Sequence, residues 1–294
     1  MTDAVTIRQG RLTARLEAKG AQLTSLTHDG AERMWQADPA VWAWHAPNLF
    51  PIVGGLKGDR LLHKGKSYTL PSHGFLRHTV CELVASSDAA CTWRLTDSAA
   101  TLAVYPFRFG LEIAYAIEEG ALVGQFTLAN PGDEPLIASL GIHPAFRWPL
   151  EPGRAREDYR LSFACCEPAP IRRVSGKLIG PEAEPTPVHG RELRLRDALF
   201  DNDAVIMDRP ASRALTYGAP GGPAIAMEWH DFPHLGIWTK PGAPFLCIEP
   251  WQGHASPLGF DGEFKDKPGT VSLAPGEERR WRYRIRPLDA FASA

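Results

Sequence analysis

Short segments in which apolar residues occupy every second position recur along the whole chain, and this pattern constrains the fold more than any other feature. One such segment covers 111–117 and ends at a Glu-Glu-Gly sequence, and a second follows at 122–128. The sequence Asn-Pro-Gly-Asp at 130–133 then predicts a turn, because proline fixes φ and glycine tolerates positive φ. Since successive side chains of a β-strand point to opposite faces, the alternation predicts strands that are buried on one face.

Sustained helical patterns of comparable length are absent from the sequence. The 27 glycines and 26 prolines are spread along the chain rather than pooled in one linker. The stretch 39–42 is expected to form only a short turn. Strands that recur at short spacing, with no helices between them, indicate an antiparallel sandwich. We therefore predict an all-β protein.

The C-terminal segment repeats this design. An Ala-Pro-Gly-Glu turn at 274–277 separates two alternating stretches, and the second of them carries apolar residues at 281, 283 and 285. Arginines stand at the intervening positions: Arg280, Arg282, Arg284 and Arg286. The pattern predicts a strand pair with one solvated, cationic face, and a solvated face is a simpler interpretation of the arginines than phosphate binding.

The chain shows no repeat of fixed period and no low-complexity segment. The stretch 180–190 is rich in Pro, Glu and Gly and is expected to be a surface loop. It is not expected to be a domain boundary, because strand-like patterning continues on both sides. A single domain over 1–294 is therefore the expected organisation, since large all-β folds of this length are commonly single.

Composition excludes several classes of protein. The chain has 294 residues, 44% hydrophobic, which is enough for a large core, and its net charge of −2 gives no basic footprint for nucleic acid or an anionic membrane. No signal-peptide pattern and no apolar run of about 20 residues is present. The five cysteines are an odd number without Cys-x-x-Cys spacing, so neither a disulfide framework nor a zinc site is expected. These features predict a cytoplasmic protein with reduced thiols.

Familiar cofactor and nucleophile motifs are missing from the sequence. It contains no phosphate-binding loop, no dinucleotide-binding glycine turn and no Gly-x-Ser-x-Gly nucleophile elbow. His230 and His234 have the spacing of metal ligands on a helix, but Pro233 would break that helix. We therefore do not expect these two histidines to bind a metal.

Three polar residues stand in unusually apolar surroundings that are marked by Pro or Gly: His73, His143 and Glu249. Glu249 ends an apolar run that is typical of a buried strand, where burial would raise its pKa toward the range of a general base. A carboxylate that caps the strand end by accepting hydrogen bonds from a loop is the structural alternative. His143 follows another apolar strand, where a histidine is commonly a satisfied core residue, and His73 lies in a Gly-containing loop.

Taken together, these three residues suggest a sugar site. Trp238 and Trp251 are near Glu249 in sequence, and aromatic faces pack against the apolar face of a pyranose. Imidazole and carboxylate groups supply the acid and base that work at an anomeric carbon. Cys247 is placed by alternation on the same strand face as Glu249, and we interpret it as a small core residue rather than a nucleophile.

Five short motifs then occur in a recognisable order. They read Gly-Ala-Gln-Leu-Thr-Ser-Leu at 20–26, Ala-Pro-Asn-Leu-Phe-Pro-Ile-Val-Gly at 46–54, His-Gly-Phe-Leu-Arg at 73–77, Gly-Ile-His-Pro-Ala-Phe at 141–146, and Cys-Ile-Glu-Pro-Trp at 247–251. In these motifs the sequence resembles the aldose 1-epimerase (mutarotase) family, and within it a bacterial LacX-like branch. The resemblance implies a β-supersandwich of large antiparallel sheets, an open concave sugar cleft and no cofactor.

The resemblance also implies roles for individual residues. Glu249 resembles the general base that takes the proton of the C1 hydroxyl, and His143 resembles the general acid that protonates the ring oxygen. His73 resembles a second site histidine that bonds a sugar oxygen. Asp203 resembles a substrate-binding aspartate, with Asp201 and Asp208 as close competitors. Substrate contacts are also expected from Arg77, Trp238 and Trp251.

The resemblance favours a mutarotase that acts on a free aldose, with a small-molecule sugar as its partner. Related hexose-6-phosphate epimerases hold phosphate with arginines, and Arg77 matches one such place. Gly55 stands where another arginine is expected, with Lys57 and Arg60 as substitutes, so a phosphosugar is a less favoured alternative. A non-catalytic sugar-binding or sensing protein is the alternative from another class. A polysaccharide lyase or hydrolase is weaker, since hydrolysis normally uses two carboxylates and only one stands in a suitable context.

Overall fold

A computed structural model of the chain describes residues 3–292, and strands dominate these residues. In the first half of the chain the strands are β1 (Ala4–Gln9), β2 (Leu12–Glu17), β3 (Gln22–His28), β4 (Ala31–Glu32), β5 (Asn48–Leu49), β6 (Arg60–His63), β7 (Lys66–Thr69), β8 (Glu82–Ser86), β9 (Ala90–Thr96), β10 (Gly110–Glu118), β11 (Ala121–Ala129), β12 (Leu136–Ala138), β13 (Leu140–Ile142) and β14 (Ala145–Arg147).

In the second half the strands are β15 (Arg160–Phe163), β16 (Ile171–Ser175), β17 (Leu178–Glu184), β18 (Glu192–Arg194), β19 (Val205–Met207), β20 (Ala214–Gly218), β21 (Ala224–His230), β22 (His234–Trp238), β23 (Phe245–Gln252), β24 (Val271–Leu273) and β25 (Glu278–Leu288). Helices are short: α1 covers Ala99–Leu102, and 3₁₀ turns cover Lys57–Asp59, Leu76–His78, Arg156–Asp158, Asp197–Phe200 and Phe264–Asp266. No helix within 3–292 is long and apolar enough to cross a membrane.

Two large sheets organise the molecule. One has nine strands in the order β18-β15-β20-β21-β25-β11-β10-β9-β8, and the other has eight, in the order β17-β16-β19-β22-β23-β13-β5 with β14 also paired to β23. Their strand pairs are antiparallel. Smaller sheets are β1-β2-β3-β4, β6-β7 and β12-β24. The prediction of an all-β, antiparallel fold is confirmed.

Apolar alternation explains how the two large sheets share a core. Ile113 of β10 and Trp281 of β25 belong to the nine-stranded sheet, and Leu235 of β22 and Ile248 of β23 belong to the eight-stranded sheet. All four are fully or almost fully buried in one apolar cluster. The sheets therefore bury their apolar faces in a common core, which is the layered arrangement of a sandwich.

Strand β23 separates this core from a second face of the eight-stranded sheet. Its residues Leu246 and Ile248 belong to the shared core. Phe245, Cys247 and Trp251 pack in smaller clusters instead, because alternate side chains of a strand point to opposite sides. Glu249 belongs to this second set by position, so the fold turns it away from the main core.

The arginine stripe of β25 lies on a solvated face, as predicted. Arg282 contacts Glu118 at 2.7 Å, and Arg284 contacts Glu119 at 3.3 Å. The expectation of a loop over all of 180–190 is wrong in part, because β17 continues to Glu184. β17 is an edge strand of its sheet, and an edge tolerates the proline and the polar residues that argued against a strand.

Candidate active site

Glu249 lies on β23 and is 1% exposed. Directly across the register on β22 stands Gly236. A Cβ atom at Gly236 would lie 2.2 Å from Cη2 of Trp251, and one at Gly141 would lie 2.5 Å from Cδ1 of the same ring. The two glycines therefore leave the space in which the indole of Trp251 lies next to Glu249.

His143 is brought to Glu249 by two short strands that pair with β23. It follows β13 and, with Pro144, connects that strand to β14. Its Nε2 lies 3.2 Å from Oε2 of Glu249. Two titratable groups from distant parts of the chain thus meet at a distance over which a proton can be shared.

Burial controls the electrostatics of this pair. It raises the pKa of Glu249 well above its ordinary value, and the nearby Asp203 carboxylate raises it further. Burial also lowers the pKa of His143 well below its ordinary value, with His73 acting in the same direction. Two polar atoms of the pair, Glu249 Oε2 and His143 Nδ1, have no hydrogen-bond partner among the residues that the structure describes. The pair is therefore buried, favours its neutral forms and retains polar atoms that can bind a ligand.

His73 is held by a reciprocal pair of backbone contacts with Gly54. The His73 N–H donates to the Gly54 carbonyl at 2.9 Å, and the Gly54 N–H donates to His73 Nδ1 at 3.2 Å. Because Nδ1 accepts, the neutral ring carries its proton on Nε2. Burial, with the Arg77 charge, lowers the pKa of His73 to about 3. Its ring centroid is 5.8 Å from that of His143, edge to face, so a neutral N–H donor stands beside the acid–base pair.

Arg77 belongs to the 3₁₀ turn that follows the His73 loop. Its Nη2 donates to the Ser72 carbonyl at 3.0 Å, and its guanidinium lies 5.1 Å above the Trp44 ring centre. Its Nε has no hydrogen-bond partner within 3–292, and burial lowers its pKa. The side chain has no carboxylate partner among the ion pairs of these residues, so it can bond a ligand oxygen.

The structure distinguishes the three competing aspartates by position. Asp203, at the turn before β19, lines the same cleft as Glu249. Its Oδ1 accepts the N–H of Ala204 at 2.6 Å. Asp208 instead pairs with Arg172 at 3.2 Å, and Asp201 is exposed and does not line the cleft.

All seven residues that the sequence predicts for the site line one cleft of about 260 Å³. They are His73, Arg77, His143, Asp203, Trp238, Glu249 and Trp251. The cleft is lined by the His143–Glu249 pair, by further hydrogen-bonding groups and by indole rings. This volume is near the lower end for small-molecule sites and suits a ligand the size of a monosaccharide.

Comparison with known proteins decides the family. The family model described as aldose 1-epimerase matches residues 3–286. The chain belongs to the aldose 1-epimerase family. The family makes this protein a sugar epimerase of the isomerase class, and the resemblance seen in the sequence motifs is confirmed.

Individual relatives agree with this assignment. The LacX protein of Lactococcus lactis subsp. lactis, chromosomal form, is 31% identical over 97% of this chain and 99% of its own length. A galactose mutarotase-like protein of Lactobacillus casei superposes with a TM-score of 0.90 at 28% identity, over 97% of this chain and 100% of its own. A galactose mutarotase related enzyme of Lactobacillus acidophilus gives 0.89 at 29% identity, over 98% of each chain. The predicted mutarotase-like fold is therefore confirmed.

Trp42 also lines the cleft, although no sequence motif of this family member pointed to it. Its ring stacks on that of His143 with centroids 5.1 Å apart and an interplanar angle of 29°. It also meets Trp238 edge to face at 5.7 Å. Residues 39–42 form a turn, as expected, but a lone tryptophan in a turn gives no signal of which surface it will cover.

Lys177 is a second cleft residue to which no sequence motif pointed, and its position accounts for the glycine at position 55. A Cβ atom at Gly55 would lie 2.7 Å from both Cβ and the carbonyl oxygen of Lys177. The turn between β16 and β17 therefore takes the space that an arginine at 55 would need. Lys177 lines the cleft, with Nζ 3.2 Å from Asp59. Lys57 and Arg60 line a different depression, so they are not substitutes for an arginine in the cleft.

Proposed function

We propose that the protein interconverts the α and β anomers of a free aldose by acid–base opening and closing of the sugar ring. The observation that carries the proposal is the 3.2 Å contact between His143 Nε2 and Glu249 Oε2 in a cleft that is also lined by tryptophans. A base and an acid held side by side meet the two proton transfers that ring opening requires.

The number of protons on the His143–Glu249 pair stays the same during ring opening, because one side chain gains a proton while the other loses one. With the pair in its ion-pair form, Glu249 takes the proton of the C1 hydroxyl while His143 gives one to the ring oxygen. The C1–O5 bond breaks, C1 becomes an aldehyde carbonyl, and O5 becomes a hydroxyl. The pair is left as a carboxylic acid and a neutral imidazole, which is the form that burial favours.

Closure repeats these steps in reverse after rotation about the C1–C2 bond. The hydroxyl at C5 attacks the other face of the aldehyde, His143 takes its proton, and Glu249 returns a proton to O1. The two side chains end as they began, and the sugar has changed only its configuration at C1. In this scheme protons move between side chains and substrate alone, so no cofactor takes part.

The remaining cleft residues hold the sugar for this chemistry. His73 presents its Nε2 proton to a sugar oxygen, since Nδ1 is engaged by the Gly54 N–H. Arg77 and Asp203 supply a hydrogen-bond donor and acceptor for ring hydroxyls. Trp42, Trp238 and Trp251 pack against the apolar faces of the pyranose. Fixed contacts of this kind orient C1 and O5 toward the acid–base pair.

The test is anomer exchange measured by saturation-transfer NMR. Purified wild type and Glu249→Gln are compared on glucose, galactose, their 6-phosphates and several pentoses. We expect faster exchange for at least one free aldose with the wild type and none above the spontaneous rate with the variant. Acceleration confined to the 6-phosphates would replace the free aldose by a phosphosugar. Binding without acceleration of any sugar would refute catalysis on this panel and favour a sugar-binding protein.

A further inference from the structure

Cys247 is a buried thiol beside the acid–base pair, and the proposed reaction does not use it. It lies two residues before Glu249 on the same face of β23, with Trp238 and Ala145 opposite it in the register. Its side chain is fully buried. A thiol in this position can act as a ligand if neighbouring side chains bind the same ion.

His143, Cys247 and Glu249 form a set of metal-ligand atoms. One ligand atom from each residue lies within 4.8 Å of the others. Imidazole, thiolate and carboxylate are the three ligand types that Zn²⁺ prefers, and three protein ligands with one open position are a common zinc arrangement. The 3.2 Å between His143 Nε2 and Glu249 Oε2 matches two ligands on one edge of a tetrahedron.

Independent evidence points to a ligand at this place. Glu249 is only 1% exposed, and its Oε2 accepts no hydrogen bond from any residue within 3–292. A buried carboxylate oxygen without a donor is costly unless a ligand supplies the interaction. The proposed sugar supplies one such partner, and a divalent cation would supply a stronger one.

A second group of ligand types in the molecule lacks this property. His28, Asp29 and Asp289 also have ligand atoms close together. Arg11 lies between the two carboxylates, however, and donates hydrogen bonds to both. Its guanidinium already supplies positive charge there, so of the two sets within residues 3–292 the one that contains Glu249 is better suited to a cation.

We propose that Zn²⁺ binds to His143, Cys247 and Glu249 and thereby excludes the sugar. Binding forms a zinc–thiolate bond, and the thiol proton is released to solvent. The metal occupies the two groups that the proposed epimerase reaction needs, so the inhibitory effect rests on the proposed function, whereas metal binding does not. No sequence motif indicates this site, because the cysteine spacing is not that of a zinc site and the ligands come from two distant segments.

The first experiment measures metal binding directly. Reduced protein carrying Cys165→Ser and Cys166→Ser is used, because these two exposed thiols would otherwise compete for metal. Zn²⁺ is titrated in competition with a chromophoric chelator. We expect one equivalent to bind, with affinity reduced about 10-fold or more by Cys247→Ala, since even partners outside the ligand set cost 10- to 100-fold.

Cys81→Ala in the same background is the matched control. Cys81 is also buried, but it does not belong to the set of ligand atoms around Glu249, so its removal should leave Zn²⁺ affinity unchanged. Equal affinity in the Cys247→Ala and Cys81→Ala proteins would overturn the proposal, as would the absence of a bound equivalent. If Cys247→Ala does not fold, Co²⁺ added to the background protein decides, because a thiolate ligand gives a charge-transfer absorption band that His and Glu alone do not.

The second experiment measures the consequence for catalysis. With a sugar that the wild type turns over, Zn²⁺ should raise the apparent KM and leave kcat unchanged. Cys247→Ala should retain the metal-free rate and lose most of the inhibition. Zinc binding in a protein that accelerates no sugar would refute the proposed function and leave the metal site standing. Catalysis without zinc binding would do the opposite.

Discussion

Residues 3–292 contain two pairs of histidines set edge to face, and one of these pairs lines the cleft described above. The centroids of His73 and His143 are 5.8 Å apart, and those of His234 and His254 are 5.0 Å apart. In the second pair, His234 Nδ1 accepts the Gly253 N–H at 3.1 Å, and His254 Nδ1 lies 2.8 Å from the carbonyl of the next residue. Both of these rings contact backbone groups through Nδ1, whereas His143 faces a carboxylate through Nε2 and its Nδ1 has no hydrogen-bond partner among the described residues.

Two buried glutamates show the same difference. Glu167 and Glu249 are both 1% exposed. The carboxylate of Glu167 accepts the N–H groups of Ala211 and Ser212 at 2.8 and 2.7 Å, as a structural carboxylate should. Glu249 has a histidine at 3.2 Å and no backbone donor to Oε2. Similar burial therefore accompanies different hydrogen-bond partners, which fit a structural role for Glu167 and the proposed catalytic role for Glu249.

The largest expected effect separates these two glutamates. Glu249→Gln removes one positioned proton transfer and should lower kcat by about 10²–10⁴-fold with little loss of stability. Glu167→Gln should keep the rate and lower the free energy of unfolding by about 1–3 kcal/mol, because one backbone N–H loses its acceptor. Anomer-exchange NMR and urea unfolding measure the two effects. A similar loss of rate in both variants would remove the distinction.

Substitutions in the two histidine pairs should likewise affect activity in one pair and stability in the other. The pH profile of the wild type adds a further test. The reaction needs one proton on the His143–Glu249 pair. Since burial lowers the pKa of His143 and raises that of Glu249, this state spans neutral pH. In buffer with a chelator, kcat/KM should be flat there, falling only below the lowered His143 pKa and above the raised Glu249 pKa.

His143→Asn should remove most of the activity, about 10²-fold or more, by deleting the acid. His234→Asn should mainly lower stability, because the Gly253 N–H loses its acceptor. A steep change of the wild-type rate between pH 6 and 8, or a rate loss in His234→Asn equal to that in His143→Asn, would contradict this assignment.

Lys267 adds a smaller, pH-dependent test of the buried region. Its Nζ donates to the carbonyls of His254 and Pro268 at 2.5 and 3.2 Å, and burial lowers its pKa from 10.5 to about 7. The folded protein thus binds fewer protons than the unfolded chain between these values, and this contribution to stability grows as pH rises. It is complete above about 10.5 and lost as pH falls through about 7.

Substitution of this lysine isolates the effect. Lys267→Met removes the titrating group, so the stability of the wild type relative to the variant should increase from pH 7 to pH 9.5. Urea unfolding at both values measures the difference. A constant or decreasing difference would show that the amine does not lose its proton in the folded state.

The smallest expected effect concerns Trp42, to which no sequence motif pointed. Trp42→Ala removes an aromatic surface stacked on His143 and should raise KM about 2- to 12-fold, as expected from loss of about 0.5–1.5 kcal/mol of aromatic contact. Tyr68→Ala, which removes a half-buried aromatic ring on β7 that does not line the cleft, is the control. Equal KM values for both variants would show that Trp42 does not contact the sugar.

The sequence by itself determined the class of fold, because alternation and turn residues act locally. The period of two at 111–117 and 122–128 became the paired strands β10 and β11 in register. The same local signals marked Glu249 and His143, since a charged or polar residue next to an apolar strand is conspicuous in one dimension. The resemblance to a known family then gave each of them an expected role.

Only the tertiary structure decided which of these residues meet. The pairing of β13 and β14 with β23 brings His143 to Glu249, and the same pairing places Cys247 beside both. The turn that carries Lys177 closes over Gly55, and a turn far from either strand supplies Trp42. These contacts join positions separated by long stretches of chain, and local periodicity carries no information about such distances.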